Sequence, residues 1–164
     1  KNTIVIMTSN LGAEIIQDNY EGLTDENRLA TLETTKAQVF DVLKKSLRPE
    51  FLNRIDETIV FEPLSKENVR DIVKLQLDIL NQRLIRKNDL ELIATEEALD
   101  WISDLGYDPQ FGARPVKRVI QHEVLNGLSK KILKGEVPQN GKIVLDMFEG
   151  QLVFRAPIED EVKA

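Results

Sequence analysis

No cysteine occurs in the 164 residues, so neither a disulfide framework nor a thiolate metal site is open to this chain. That usage suits a reducing, cytoplasmic setting. His122 is the sole histidine; with no second His and no Cys, the His122-Glu123 pair makes neither a zinc site nor a nucleophile-base couple. Lys and Arg number 22 against 28 Asp and Glu, a net charge of −6 that argues against nucleic acid as a partner. Affinity for a phosphate backbone rests on clustered cations. Long apolar runs are missing too. Nothing approaches the ~20 residues of a membrane helix, so a soluble chain without a membrane partner is expected.

Phosphate-gripping chemistry is also absent. A P-loop, G-x-x-x-x-G-K-[ST], surrounds phosphates with backbone N–H groups and neutralises them with Lys. Here the only Gly-Lys pair is Gly141-Lys142, with Glu136 five residues before Gly141 and Ile143 after the Lys. No apolar run ends in Asp-Glu, so the usual carboxylates for Mg²⁺ and water activation have no candidate. Nor is there a G-x-S-x-G elbow. The isolated chain is not expected to be an enzyme. It opens at Lys1, with no Met and no leader, directly on an apolar run, and reads as a piece of something longer.

What is present suits one folded domain: 41% hydrophobic and 30% charged residues, at a length where ~68–70% of the unfolded surface is buried. Thr3–Thr8 and Thr58–Phe61 are short β-branched runs, the pattern of strands buried on both faces of a parallel sheet. Between them a helix is expected from Asn27 to Ser46, with Leu32, Val39, Phe40, Leu43 and Leu47 on one face. A short helix then starts at Pro49, anchored by Phe51 and Leu52. Pro63 and Ser65 mark a break and an N-cap before a helix carrying Val69, Ile72, Val73, Leu80 and Leu84. A turn at Lys87–Asp89 leads to a strand at Leu90–Ala94 and a helix from Thr95 to Gly106. A longer helix from Ala113 to Gly135 follows, with a kink expected at Gly127. Two strands, Lys142–Asp146 and Gln151–Arg155, close a hairpin through Phe148-Glu149-Gly150. Residues 158–164 look like a solvated acidic tail.

Three segments carry candidate chemistry. Met7-Thr8-Ser9-Asn10 places a polar group at the end of an apolar strand, where ligands bind in parallel α/β sheets. Asn10 then orients water or meets a γ-phosphate; the plainer alternative is a helix N-cap. Arg48-Pro49-Glu50-Phe51-Leu52-Asn53-Arg54-Ile55-Asp56 delivers Arg54 at the end of a short helix, either toward a phosphoryl group or into a surface ion pair with Asp56. Gly106-Tyr107-Asp108-Pro109-Gln110-Phe111-Gly112-Ala113-Arg114-Pro115 sets Arg114 at a helix start. Its fork and the helix's positive end both favour an anion there, and a helix-entry role is the alternative.

Together these segments resemble the second ATPase module of the Clp family of AAA+ unfoldases over nearly the whole chain, Asn2 to Pro157. The resemblance implies an α/β fold: the C-terminal part of a large AAA+ subdomain (1–61), then a small α+β subdomain of helices and a three-stranded sheet (62–157). It implies that Asn10 is sensor 1, that Arg54 is the arginine finger acting on a neighbouring subunit, and that Arg114 is sensor 2. Ala113 and Ile72 fall beside the nucleotide, Ile72 as a wall for adenine if it is not simply core. ATP or ADP with Mg²⁺ is the implied cofactor. The implied partners are the subunits of a hexameric ring, unfolded or aggregated polypeptide, and an ATP-dependent co-chaperone. Protease-coupled members carry an aliphatic-Gly-hydrophobic tripeptide in this region. Here the stretch is Tyr20-Glu21-Gly22-Leu23, and a Glu carboxylate driven into an apolar pocket costs kilocalories. The disaggregase branch is therefore expected over a protease-coupled unfoldase, and over a stand-alone helical interaction domain.

Overall fold

The computed structural model describes residues 3–20, 27–108, 111–137 and 141–158. The chain divides into two compact units, Lys1–Pro63 and Leu64–Ala164. The tripeptide Glu21-Gly22-Leu23, the Pro109-Gln110 step and residues 159–164 of the acidic tail lie outside the described residues.

The first unit is helical: α1 (Ala13–Tyr20), α2 (Arg28–Ser46) and the single turn α3 (Pro49–Leu52). Gly12 opens α1 at φ +79°, and a Cβ there would sit 2.9 Å from Cγ2 of Val39 on α2. Glycine thus lets the chain turn and lets the two helices close up. Farther along α1, Asn19 donates through Nδ2 to Thr35 Oγ1 at 2.9 Å and to Gln38 Oε1 at 2.7 Å. Thr35 and Val39 are the only buried side chains among this unit's described residues. The Tyr20 hydroxyl is enclosed without a hydrogen-bond partner among them; burial first, then the Glu62 carboxylate, hold its phenol above the ordinary value.

The two expected buried strands do not form. Residues 3–10 and 56–65 carry no secondary structure, and Ile4 is 89% and Phe61 81% exposed. An apolar run becomes a strand only when a neighbour takes up its N–H and C=O groups. No such neighbour stands among this unit's described residues. The anchoring expected of α3 is also weaker: Phe51 is exposed and Leu52 only half-buried.

The second unit has its own core. Ser65 starts α4 (Lys66–Asn88) through a capping box, its Oγ accepting from Asn68 N and its N–H donating to Asn68 Oδ1, both at 3.1 Å. Asp89, left-handed at φ 51°, ends α4 and turns into β1 (Leu90–Ala94). Asn81 on α4 accepts the Leu92 N–H at 2.7 Å. Thr95 caps α5 (Glu96–Gly106), accepting from Ala98 N at 3.3 Å. Arg70 ties α4 to α5, pairing with Asp100 at 2.5 Å and with Glu96. Those two carboxylates, Asp100 before Glu96, hold the guanidinium above its ordinary value.

One long helix was expected next, and the structure divides it. α6 (Val116–Val119) runs into a π-helical turn at Ile120–Leu125 and then α7 (Asn126–Leu133). The irregularity lies upstream of Gly127, which is regular helix. Its missing Cβ, 2.8 Å from Cε2 of Phe154 if present, seats that ring instead. Strands β2 (Gly141–Phe148) and β3 (Gln151–Arg155) complete a three-stranded sheet of order β1-β2-β3, parallel in the first pair and antiparallel in the second. Glu149 and Gly150, at φ 49° and 77°, make the two-residue turn, the pair of positive angles that a type I′ hairpin requires. Asp146 gathers Thr95 Oγ1 (3.1 Å), Met147 N (2.8 Å) and Arg155 Nε (2.6 Å). Val73, Leu90, Ile102, Val124, Leu128 and Leu145 are central to the buried cluster between helices and sheet. Among the described residues no helix is long and apolar enough to cross a membrane.

Candidate functional site

Asn10 belongs to the first unit. Its carbonyl accepts the Ala13 N–H at 3.1 Å, and Ser9 Oγ accepts the Leu11 N–H at 3.1 Å. The turn into α1 is thus held by the Asn10 backbone and the Ser9 hydroxyl. Asn10's own amide caps nothing among the described residues and stays exposed.

Arg54 is fixed at the main chain in a similar way. Leu52 and Asn53 N–H groups return to the carbonyls of Arg48 and Pro49 at 3.1 and 3.0 Å, and Arg54 N returns to Phe51 O at 3.0 Å. Pro49 at the first position presets φ, so a single turn suffices to carry Arg54 out of the helix. The side chain is exposed and makes no ion pair, with Asp56 or any other acid, among the described residues.

Arg114 lies in the second unit, two residues before α6, and is likewise exposed without an ion pair among the described residues. Its Ala113 neighbour is half-buried, as is Ile72 on α4, and both pack against the buried cluster. Ile72 sits between Val69 and Val73, so its primary contact is with the core. The approach to Arg114 explains much of the surrounding motif. A Cβ on Gly106 would lie 2.8 Å from Val116 Cγ2 and 3.2 Å from its Cα, so glycine permits α5 and α6 to touch. Asp108 and Gly112 exchange both backbone hydrogen bonds, at 3.0 and 2.7 Å, and Gly112 takes φ +62°.

Sequence reasoning singled out the cationic and amide groups and missed what holds them. Asp108, whose Oδ1 accepts the Phe111 N–H at 2.9 Å, was legible only as an Asp three residues before the N–H it receives, the signal of an Asx turn. Two depressions in this unit lie elsewhere. One is lined by Lys74, Leu77, Leu92 and Leu99, the other by Leu80, Arg83, Leu128 and Leu133. Among the described residues no three His, Cys, Asp or Glu side chains gather as a metal site would need.

Helices followed by a small mixed sheet, with unpaired polar groups on tightly turned backbone, suit an AAA-type module, and residues 1–58 match the family model of the AAA domain of the Cdc48 subfamily. Residues 64–145, half the chain, match the model described as the C-terminal, D2-small domain of ClpB protein. The chain belongs to the ClpB family. It is 51% identical over 155 residues to the chaperone protein ClpB of Bacteroides thetaiotaomicron, covering 94% of this chain and 18% of that protein. To ClpB of Vibrio cholerae it is 45% identical over 152 residues, 93% of this chain and 17% of the relative. The solved complex of S. cerevisiae Hsp104 with casein, in its extended conformation, matches with TM-score 0.72 at 35% identity, covering 93% of this chain and 26% of that one. The chain thus spans less than a fifth of the length of these curated relatives.

Proposed function

We propose that this chain supplies three polar tools to an ATP-driven, ring-forming disaggregase: Asn10 as sensor 1, Arg54 as the arginine finger and Arg114 as sensor 2. The observation that carries the proposal is shared by all three. Each side chain is exposed and without an intramolecular partner among the described residues, while its backbone is held by a turn. A cation kept unpaired on ordered backbone is suited to an anion from outside, since little freedom remains to be lost on contact. Family membership favours a nucleotide as that anion.

A triphosphate with Mg²⁺ fits this donor set in part. Arg114 meets phosphate charge from its own subunit, with Ala113 and Ile72 offering apolar surface toward the base. Arg54 reaches the nucleotide of a neighbouring subunit in the ring, and Asn10 orients water or the γ-phosphate. Bound ATP supplies the phosphoryl group whose transfer drives the cycle. The phosphate loop itself has no counterpart in this sequence. Because Arg54 acts across an interface, turnover depends on assembly. Hydrolysis then moves the small subdomain against its neighbour and draws polypeptide through the ring. Casein in the Hsp104 complex supports a polypeptide substrate. The relatives' description as chaperones supports a disaggregase over a protease-coupled unfoldase, and a cysteine-free composition supports a cytoplasmic location.

Arg54→Ala in the full-length protein provides the test. An arginine finger is worth ~10³–10⁵ in rate, so turnover should fall by about three orders of magnitude while nucleotide binding and ring assembly persist. Unchanged turnover in an intact ring removes the finger assignment.

A further inference from the structure

Arg114 is held from both sides although its side chain is free. On the N-terminal side, Asp108 and Gly112 form an isolated antiparallel bridge, Asp108 N to Gly112 O at 3.0 Å and Gly112 N to Asp108 O at 2.7 Å. Inside that bridge the Asp108 carboxylate accepts the Phe111 N–H at 2.9 Å. On the C-terminal side, the Arg114 N–H returns to Phe111 O at 3.3 Å, and Val116, 1% exposed, fills the notch left by Gly106. Phe111 is therefore bonded on both sides of its Cα, its N–H to Asp108 and its C=O to Arg114. The Asp108 carboxylate reaches the Arg114 backbone through that one residue.

We propose that Asp108 is a positioning residue for Arg114, fixing through Phe111 where the guanidinium fork stands when it meets a nucleotide phosphate; this rests on the reading of Arg114 as sensor 2. The side-chain type follows from the geometry. A carboxyl carried directly on Cβ reaches the N–H three residues on, which Glu, longer by one methylene, overshoots. Asn carries an acceptor oxygen at the same distance from the backbone, so Asn serves in place of Asp at this bond. Without the acceptor, the Phe111 N–H turns to water and the loop samples other turns. Arg114 then loses the pre-set placement that lowers the cost of binding.

The experiment uses the full-length protein and reads ATP affinity with a fluorescent ATP analogue, alongside turnover and thermal melting. Asp108→Ala and Asp108→Glu should each weaken nucleotide binding roughly five- to tenfold, the scale of one lost hydrogen bond. Asp108→Asn should bind as the parent does. In an Arg114→Ala background Asp108→Ala should add no further loss, because both act through one group. The proposal is overturned if Asp108→Glu binds nucleotide normally, if Asp108→Asn is as impaired as Asp108→Glu, or if the losses multiply in the double variant. Comparing Asn with Glu keeps these outcomes readable even if the Ala variant does not fold. A silent Arg114→Ala overturns the sensor 2 reading and the positioning role with it. A damaging Arg114→Ala beside a silent Asp108→Ala and Asp108→Glu overturns the positioning role alone.

Discussion

The two units put similar proportions of apolar sequence to different use. Residues 64–158 bury Leu90, Ile102, Leu128 and Leu145 almost completely, whereas among the described residues of the first unit only Thr35 and Val39 are buried. Ile4, Val5, Ile6, Ile59 and Phe61, as apolar as anything in the core, face outward. Apolar residues stabilise only where something covers them, so the second unit carries its own stability and the first unit's apolar runs contribute little by themselves.

Substitution breaks or sharpens that contrast. Leu128→Ala should have the largest effect on folding, roughly 2–5 kcal/mol, because it empties a fully buried site in the core. Ile6→Ser in the same chain should change stability by no more than about 0.5 kcal/mol, as an exposed site does. Paired denaturant titrations check both, and a comparable loss at Ile6 would mean that the apolar run is covered after all. Next in size is Gly106→Ala, expected to cost about 1–3 kcal/mol because its Cβ would press on a buried β-branched side chain and on backbone. Thermal melting reads that loss, and Val116→Ala should relieve part of it.

A smaller loss than that at Gly106 concerns acid. The Asp146 carboxyl is held below its ordinary value of 3.8, first by Arg155, then by the Met147 N–H and Thr95, against the opposing effect of burial. A depressed folded value means that the contribution is complete above the unfolded value and disappears as pH falls through the folded one. Asp146→Asn should therefore cost about 1 kcal/mol at neutral pH and flatten the stability loss below roughly pH 4. Unfolding measured from pH 7 to pH 2 would show the two curves converging in acid.

The same contrast explains what could be read from the sequence. Ser65, Thr95 and the Glu149-Gly150 turn act within three or four residues, so their caps and hairpin were legible, as was the β2-β3 pairing that the turn dictates. Thr3–Thr8 reads as a strand by composition, yet a strand is a relation between two segments, and one segment cannot declare its partner. The π-helical turn had no local marker, and Gly127, which suggested a kink, serves a contact with Phe154 far along the chain. At the candidate site, Asn10, Arg54 and Arg114 stood out by residue type and motif. Their lack of partners, and the Asp108 bond behind Arg114, depend on how the chain closes in space.

Asn81 guards one boundary of the small sheet. The Thr95 N–H bonds to Leu145 O across to β2, so by alternation the Leu92 N–H points away from the sheet, where Asn81 takes it. A foreign strand arriving along β1 would find that donor already engaged and would have to displace a partly buried amide before its first bond could form. Growth of the sheet on that side is thereby discouraged by a single side chain, which leaves the β3 margin as the easier route for unwanted strand addition.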